Sequence, residues 1–213
     1  MMPAAAALAL AYVSGSIPSA YLAGRVVKGI DLRTVGSGNL GATNVYRTLG
    51  AKVAVVVFAV DMLKGAAPAA FLPACVLPAS ALGTHQATWW ALAFGIAAIV
   101  GHTKSIFLLW KGGGKGVATA AGVFAALAPV PLAIALAVFI AVLWRTGYVS
   151  ASSLTAAVVL PLLLVYFAGV GSPLTIVAVI IGVFVFWSHR ANIGRLRAGT
   201  EHRFGRTQAG RGA

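Results

Sequence analysis

Acidic side chains are what this sequence lacks most. Its 213 residues hold three of them, Asp31, Asp61 and Glu201, against sixteen lysines and arginines. No two of the three are neighbours in sequence, so neither a paired-carboxylate hydrolase nor an oxygen-ligated metal centre finds its groups here. A single cysteine, Cys75, excludes an internal disulfide and any multi-cysteine metal site. Set among apolar residues, it reads as inert filler. Charged residues make up only 9% of the chain and apolar ones 60%, with a mean hydropathy of +0.95. Soluble domains do not have that balance.

What is present is a series of apolar stretches near the ~20 residues a membrane-spanning helix needs. Backbone polar groups in hydrocarbon must be satisfied internally, which leaves helices or a closed barrel. Barrel strands alternate apolar and polar residues over ~10 positions. Runs such as VAVVVFAV (53–60) and ALAFGIAAIV (91–100) do not alternate. The sequence therefore predicts an all-α, polytopic integral membrane protein. Its spans are placed at 3–24, 51–72, 87–104, 116–128, 130–144, 150–170 and 172–189. The opening MMPAAAALAL has no positive region and reads as the start of the first span, not as a removable leader. Pro129 and Pro131 interrupt 116–144, since proline lacks a donor and clashes with the preceding turn. That makes the fourth and fifth spans short.

Charge fixes the orientation. The basic residues fall at Arg25–Lys52, Lys104–Lys115, Arg145 and Arg190–Arg211, with Lys64 alone inside a span. The connections Pro73–Thr88, Ala128–Leu132 and Gly169–Pro173 have none. Seven transmembrane helices put all four basic places on one face, which the positive-inside rule makes cytoplasmic. The N-terminus is then outside and the C-terminus cytoplasmic. Treating 116–144 as one crossing would set Arg145 opposite Lys111 and Lys115. The net charge of +13 is accounted for by this topology and by attraction to anionic lipid. No motif that reads nucleic acid accompanies it. The expected organisation is one transmembrane domain over 1–198 and a basic cytoplasmic tail over 199–213.

Four cytoplasmic segments carry the chemistry. GSGNLGATN (36–44) sets three glycines among Ser37, Asn39, Thr43 and Asn44, and Arg47 follows near the start of the next helix. Glycine lets amides approach a ligand, successive amides form an anion-binding nest, and arginine grips phosphate in a fork. WKGGGKG, within 101–119, lacks the hydroxyl that a phosphate-binding P-loop needs after its lysine. Gly112, Gly113, Gly114 and Gly116 with Lys111 and Lys115 still make an anion site, because a helix beginning near Gly116 offers free amides. In WRTGYVSASS (144–153), Ser150 is placed as the N-cap of the sixth span, with a ligand role equally open. In SHRANIGRLRAGTEHR (188–203), His189 and Asn192 share a helical face. Asp61 and Lys64 pair across one turn inside the second span, as a structural ion pair or a functional one.

GSGNLGATNVYR, WKGGGKGVAT and HRANIGRLRAGTE together resemble the three motifs of the bacterial acyl-phosphate-dependent glycerol-3-phosphate acyltransferase family. GSIPSAYLAG, DMLKG and YVSASS extend the resemblance over most of 12–201. Where that family usually reads K-G-G-K-G, this chain has three glycines between Lys111 and Lys115. The resemblance implies an enzyme of the bacterial inner membrane, with short helices around a cytoplasmic active site. It would move a fatty acyl group from acyl phosphate to the 1-hydroxyl of glycerol 3-phosphate, giving lysophosphatidic acid and phosphate in the first step of phospholipid synthesis.

By the same resemblance Ser37, Arg47 and His189 are catalytic. Asn39, Thr43, Asn44, Lys111, Lys115, Ser150 and Asn192 contact glycerol 3-phosphate, and Gly112, Gly113, Gly114 and Gly116 cradle acyl phosphate. Asp61, Lys64 and Glu201 are structural. No cofactor, metal or nucleic-acid partner is implied, membrane lipid is the surrounding partner, and a monomer suffices. The general base is His189 or an oxygen of the substrate's phosphate. His102 precedes TKSIF and His189 precedes RANIG, so neither begins the His-x4-Asp motif of acyl-CoA-dependent acyltransferases. A membrane transporter for an organic phosphate is the alternative, since it too would use broken helices and cationic sites.

Overall fold

The first apolar stretch is two helices. In the computed structural model, which describes residues 1–204, α1 (Ala4–Ser16) and α2 (Ser19–Lys28) are separated by Ile17 and Pro18. Pro18 has no N–H and pushes Ile17 out of the helical region, to φ −54°, ψ 114°. The freed carbonyls are met by side chains from elsewhere. Ser105 Oγ donates to Ser16 O at 2.5 Å and Lys64 Nζ to Ile17 O at 2.8 Å. Irregular backbone at membrane depth persists only where protein satisfies it.

After α2 come α3 (Ala42–Leu49), α4 (Ala51–Val76), α5 (His85–Thr103) and α6 (Val117–Leu127), then α7 (Pro129–Thr146), α8 (Val149–Ala168), α9 (Pro173–Ser188) and α10 (Arg190–Arg197). Five segments are long and apolar enough to cross a bilayer: Ala4–Lys28, Ala51–Val76, His85–Leu108, Pro129–Thr146 and Val149–Ala168. The pair α9 and α10, bent by 59°, makes a sixth. Of the fourth and fifth expected spans only α6 is short, about 17 Å for its 11 residues. The fifth expected span is not short, since α7 runs for 18 residues, about 27 Å. The chain breaks at Ala128, φ −149°, ψ 64°, just before the prolines. From there α6 packs on α4 and α7 on α8.

Close helix crossings make the bundle tight. A Cβ on Gly65 would fall on the Thr119 carbonyl, and one on Gly122 on that of Met62, so α4 and α6 meet backbone to backbone. Gly15 against Ala98 and Gly101 against Tyr12 do the same for α1 and α5. Lipid gives apolar helices no hydrophobic reason to associate, and small residues at the crossing supply van der Waals contact instead. Leu92, Phe124, Leu164, Val177 and Val185 fill the core between α5, α6, α8 and α9. This packing brings the loops after α2, α5, α7 and α10 to one end.

Candidate active site

The loop before α3 is organised by Asn44. Only 1% exposed, it accepts from the Ser37 N–H at 3.0 Å and donates to the carbonyls of Leu32 and Val35 at 3.2 and 3.0 Å. Both amide hydrogens and the oxygen are thereby used within the loop. Asn44 is thus the organiser of this loop. Gly36, at φ +64°, passes so close that a Cβ would overlap the Asn44 oxygen. Ser37 is left exposed at the loop's crest, and Thr43 is half-buried at the start of α3. Upstream, Arg33 closes a fork on Asp31, whose carboxyl is held down at about 2 by that guanidinium. Arg47 lies in the last turn of α3, not at a helix start as expected. Partial burial lowers its guanidinium pKa, Glu201 opposes the shift and Arg195 adds to it.

The glycine run sits directly on this loop. Gly113 O accepts from Asn39 Nδ2 and from Leu40 N–H, both at 3.3 Å, and Arg33 Nη1 donates to Lys111 O at 3.1 Å. A Cβ on Gly112 would press on the Arg33 side chain at 2.9 Å. Gly116, in the left-handed region at φ 79°, caps α6 as the sequence suggests. Lys111 is exposed at the rim and Lys115 is half-buried.

The third segment closes the arrangement. Lys115 Nζ donates to Asn192 Oδ1, and Asn192 Nδ2 donates to Glu201 Oε1 at 2.7 Å. Ser150 Oγ reaches the same carboxylate oxygen at 3.0 Å, and Arg195 Nε takes Oε2 at 2.7 Å. Ser150 is therefore not a cap, because α8 starts at Val149 with Tyr148 preceding it. Burial alone would raise the Glu201 carboxyl. The bonds from Asn192, Arg195 and Ser150 outweigh it and hold the carboxyl below its ordinary range. Lys115 moves to about 8: burial lowers it, Glu201 opposes, and the like charges of Arg195 and Arg47 add to the fall. His189 Nδ1 lies 2.8 Å from the Val185 carbonyl. A carbonyl only accepts, so Nδ1 carries the proton and Nε2 keeps the lone pair.

Asp61 and Lys64 form their expected ion pair at 2.7 Å, but at the break of the first span, with Ser19 and His102 beside them. The sequence reading missed Ser19 and gave His102 no role. The available signal was a histidine ending an apolar span just before the glycine run. The other segments converge into one cationic cluster, with Arg47, Lys115 and Arg195 around a single carboxylate and the amides of 112–116 alongside. Such a set binds anions, and more than one cation is there to hold them.

A polytopic helical membrane protein with a cationic, glycine-lined cluster where its loops converge is the class these features define. Comparison with known proteins narrows it. The profile of the glycerol-3-phosphate acyltransferase family matches residues 5–199. A glycerol-3-phosphate acyltransferase of Geobacter metallireducens is 50% identical over 197 residues, covering 92% of this chain and 95% of the relative. That of Geotalea daltonii is 45% identical over 196 residues, covering 92% and 95%. Two crystal structures of PlsY (YgiH), an integral membrane glycerol 3-phosphate acyltransferase, superpose with a TM-score of 0.81. The glycerol 3-phosphate form is 38% identical and covers 95% of this chain and 96% of that one. The lysophosphatidic acid form is 37% identical and covers 95% of each. The chain belongs to the glycerol-3-phosphate acyltransferase family, and is an integral membrane acyltransferase. The transporter alternative has no support among these relatives.

Proposed function

We propose that the protein transfers a fatty acyl group from acyl phosphate to the 1-hydroxyl of glycerol 3-phosphate, releasing lysophosphatidic acid and inorganic phosphate. The observation that carries this reading is the convergence of loops 36–47, 111–116 and 189–201 through the Gly113, Lys115 and Glu201 contacts. Two anions repel in water, and this cluster offers both of them cations and fixed amides. Held together, the hydroxyl oxygen needs to lie ~3–3.5 Å from the carbonyl carbon. The new bond joins glycerol O1 to that carbon and the carbon–oxygen bond to phosphate breaks. The hydroxyl proton passes to a phosphate oxygen of the substrate. Acyl phosphate is a mixed anhydride with a good leaving group, so cations and amides aimed at the developing charge supply most of the assistance. Ser37 and Arg47 stand at the glycerol 3-phosphate side, Gly112–Gly116 at the donor. His189, with a free Nε2, orients the acceptor.

The expected setting is the inner membrane of a bacterium. Counting α6 as a short fourth crossing gives seven, with the N-terminus outside and the cluster on the cytoplasmic side, where the basic loops belong. The catalytic domain, expected over 1–198, continues into the first residues of the expected tail, where Glu201 is buried against Ser150, Asn192 and Arg195. Of the expected basic tail, 199–213, the stretch 205–213 lies outside the described residues.

The test offers the detergent-purified protein glycerol 3-phosphate with palmitoyl phosphate, palmitoyl-CoA or the acyl carrier protein thioester, with and without chelator. Turnover with the phosphate alone, indifferent to chelator, is expected; equal use of a thioester overturns the donor assignment. Ser37→Ala and Arg47→Ala should each abolish turnover while folded protein is recovered.

A further inference from the structure

Beneath the glycine run lies a second polar cluster that the proposed transfer does not use. Asp61, 1% exposed, accepts at Oδ1 from Ser19 Oγ at 2.5 Å and Lys64 Nζ at 2.7 Å, and faces His102 Nδ1 at 3.6 Å. Its Oδ2 has no hydrogen-bond partner among the described residues. His102, 7% exposed, ends α5 with the Nε2 edge of its ring at the place a Gly114 Cβ would occupy. Its carbonyl accepts from the Gly114 N–H at 3.2 Å, and Gly113 runs against the Thr103 carbonyl closely enough that a Cβ there would collide with it. Ser19, Lys64, His102 and Ser105 line one side of a narrow cleft whose other side is Gly113 and Gly114.

A run of three glycines is a poor anion site unless something fixes its path. Glycine loses more conformational freedom on ordering than any other residue, and every unfixed amide costs affinity when the ligand must order it. Here the Asn39 and Leu40 contacts hold the run from one side. On the other side the His102 ring is the surface it rests on. The ring in turn faces a carboxylate at 3.6 Å whose charge is balanced by Lys64, so the support adds no net negative charge beneath an anion site.

We infer that His102, oriented by Asp61, is a positioning residue that sets the course of the 112–114 amides, and thereby the grip on the acyl donor. The inference rests on the reading that these amides cradle the donor's phosphate. It also accounts for glycine at 114, where any side chain would displace the ring.

Steady-state kinetics of purified His102→Ala, His102→Gln, Gly114→Ala and Gly114→Ala/His102→Ala tests this. The His102 variants should raise KM for the donor by on the order of tenfold, with KM for glycerol 3-phosphate within about twofold of the parent. Gly114→Ala should lose donor affinity, and the double variant should recover part of it, because removing the ring makes room for the methyl group. A role in folding alone would lower thermal stability and the active fraction while leaving both KM values unchanged. That outcome overturns the inference, as do equal rises in both KM values or a double variant no better than Gly114→Ala. Should His102→Ala fail to fold, His102→Gln and Gly114→Ala still decide it. The parent is first matched to its donor. If it refuses acyl phosphate, the donor assignment fails, while the KM split against the donor it does use still judges His102.

Discussion

Lys115 donates to the Asn192 amide oxygen across 77 positions of sequence. That one bond joins the glycine run ahead of α6 to helix α10, and Asn192 passes it on to Glu201 at 2.7 Å. Asn192→Ala removes a buried amide that bridges a cation and a carboxylate, each bond to a charged group being worth about 1.5–3 kcal/mol. We expect kcat/KM to fall on the order of a hundredfold and the melting temperature in detergent to drop as well, because Lys115 and Glu201 both lose a partner. A variant within about twofold of the parent would show that the bridge is incidental.

The Lys115 ammonium, held at about 8 chiefly by burial, sheds its proton at a lower pH than an exposed lysine. Below pH 8 it is charged and holds anionic substrate; above pH 8 the free enzyme loses that charge. KM for the substrate it grips should rise ~10-fold for each unit above that point. Lys115→Arg keeps its charge throughout and should flatten the profile, even if its overall rate is lower. A parent profile level to pH 9.5 removes Lys115 from substrate binding.

Glu201 accepts from three side chains, and its two oxygens do different work. Glu201→Gln keeps an acceptor for Ser150 and Asn192 but loses the charge that Arg195 and Lys115 face. Glu201→Ala removes everything. The alanine variant should lose about 3 kcal/mol or more of stability, as when one member of a buried pair is deleted, and the glutamine variant distinctly less. Denaturation in mild detergent ranks them. Because the Glu201 carboxyl lies below its ordinary range, the stability it contributes is present at neutral pH. It is lost only as pH falls below that range.

Two glycines of similar appearance should respond in opposite ways. Gly122→Leu would drive a side chain into the Met62 carbonyl at the α4–α6 crossing and should yield little folded protein. Gly194 in α10 has nothing within 4 Å of an added Cβ, so Gly194→Ala should be neutral or stabilising by up to ~1 kcal/mol. Thermal melts of both check the crossing.

Much of this was legible in the sequence because a 60% apolar chain makes its polar loops conspicuous. The three glycine- and cation-rich segments stood out, and so did the break at the prolines after Leu127. Contacts between distant parts did not show. Ser150 looked like a cap because its partner, Glu201, lies 51 residues away. The loop-organising role of Asn44 did not show because the carbonyls it holds, at Leu32 and Val35, carry no side-chain signal. His102 gained meaning only when α1, α4 and α5 placed Asp61 beside it. The first turn of α3, from Ala42, was hidden inside what read as a loop, so Arg47 read as a helix start when it lies in the last turn.

Glu201 comes after every helix of the bundle, yet it anchors Asn192, Arg195 and Ser150. The link from the glycine run to α10 therefore depends on a residue beyond the last helix, since Lys115 bonds Asn192 and Asn192 bonds Glu201. A chain cut before Glu201 would keep the glycine run but lose the carboxylate that fixes Asn192, the partner of Lys115, so its activity should fall as for Asn192→Ala.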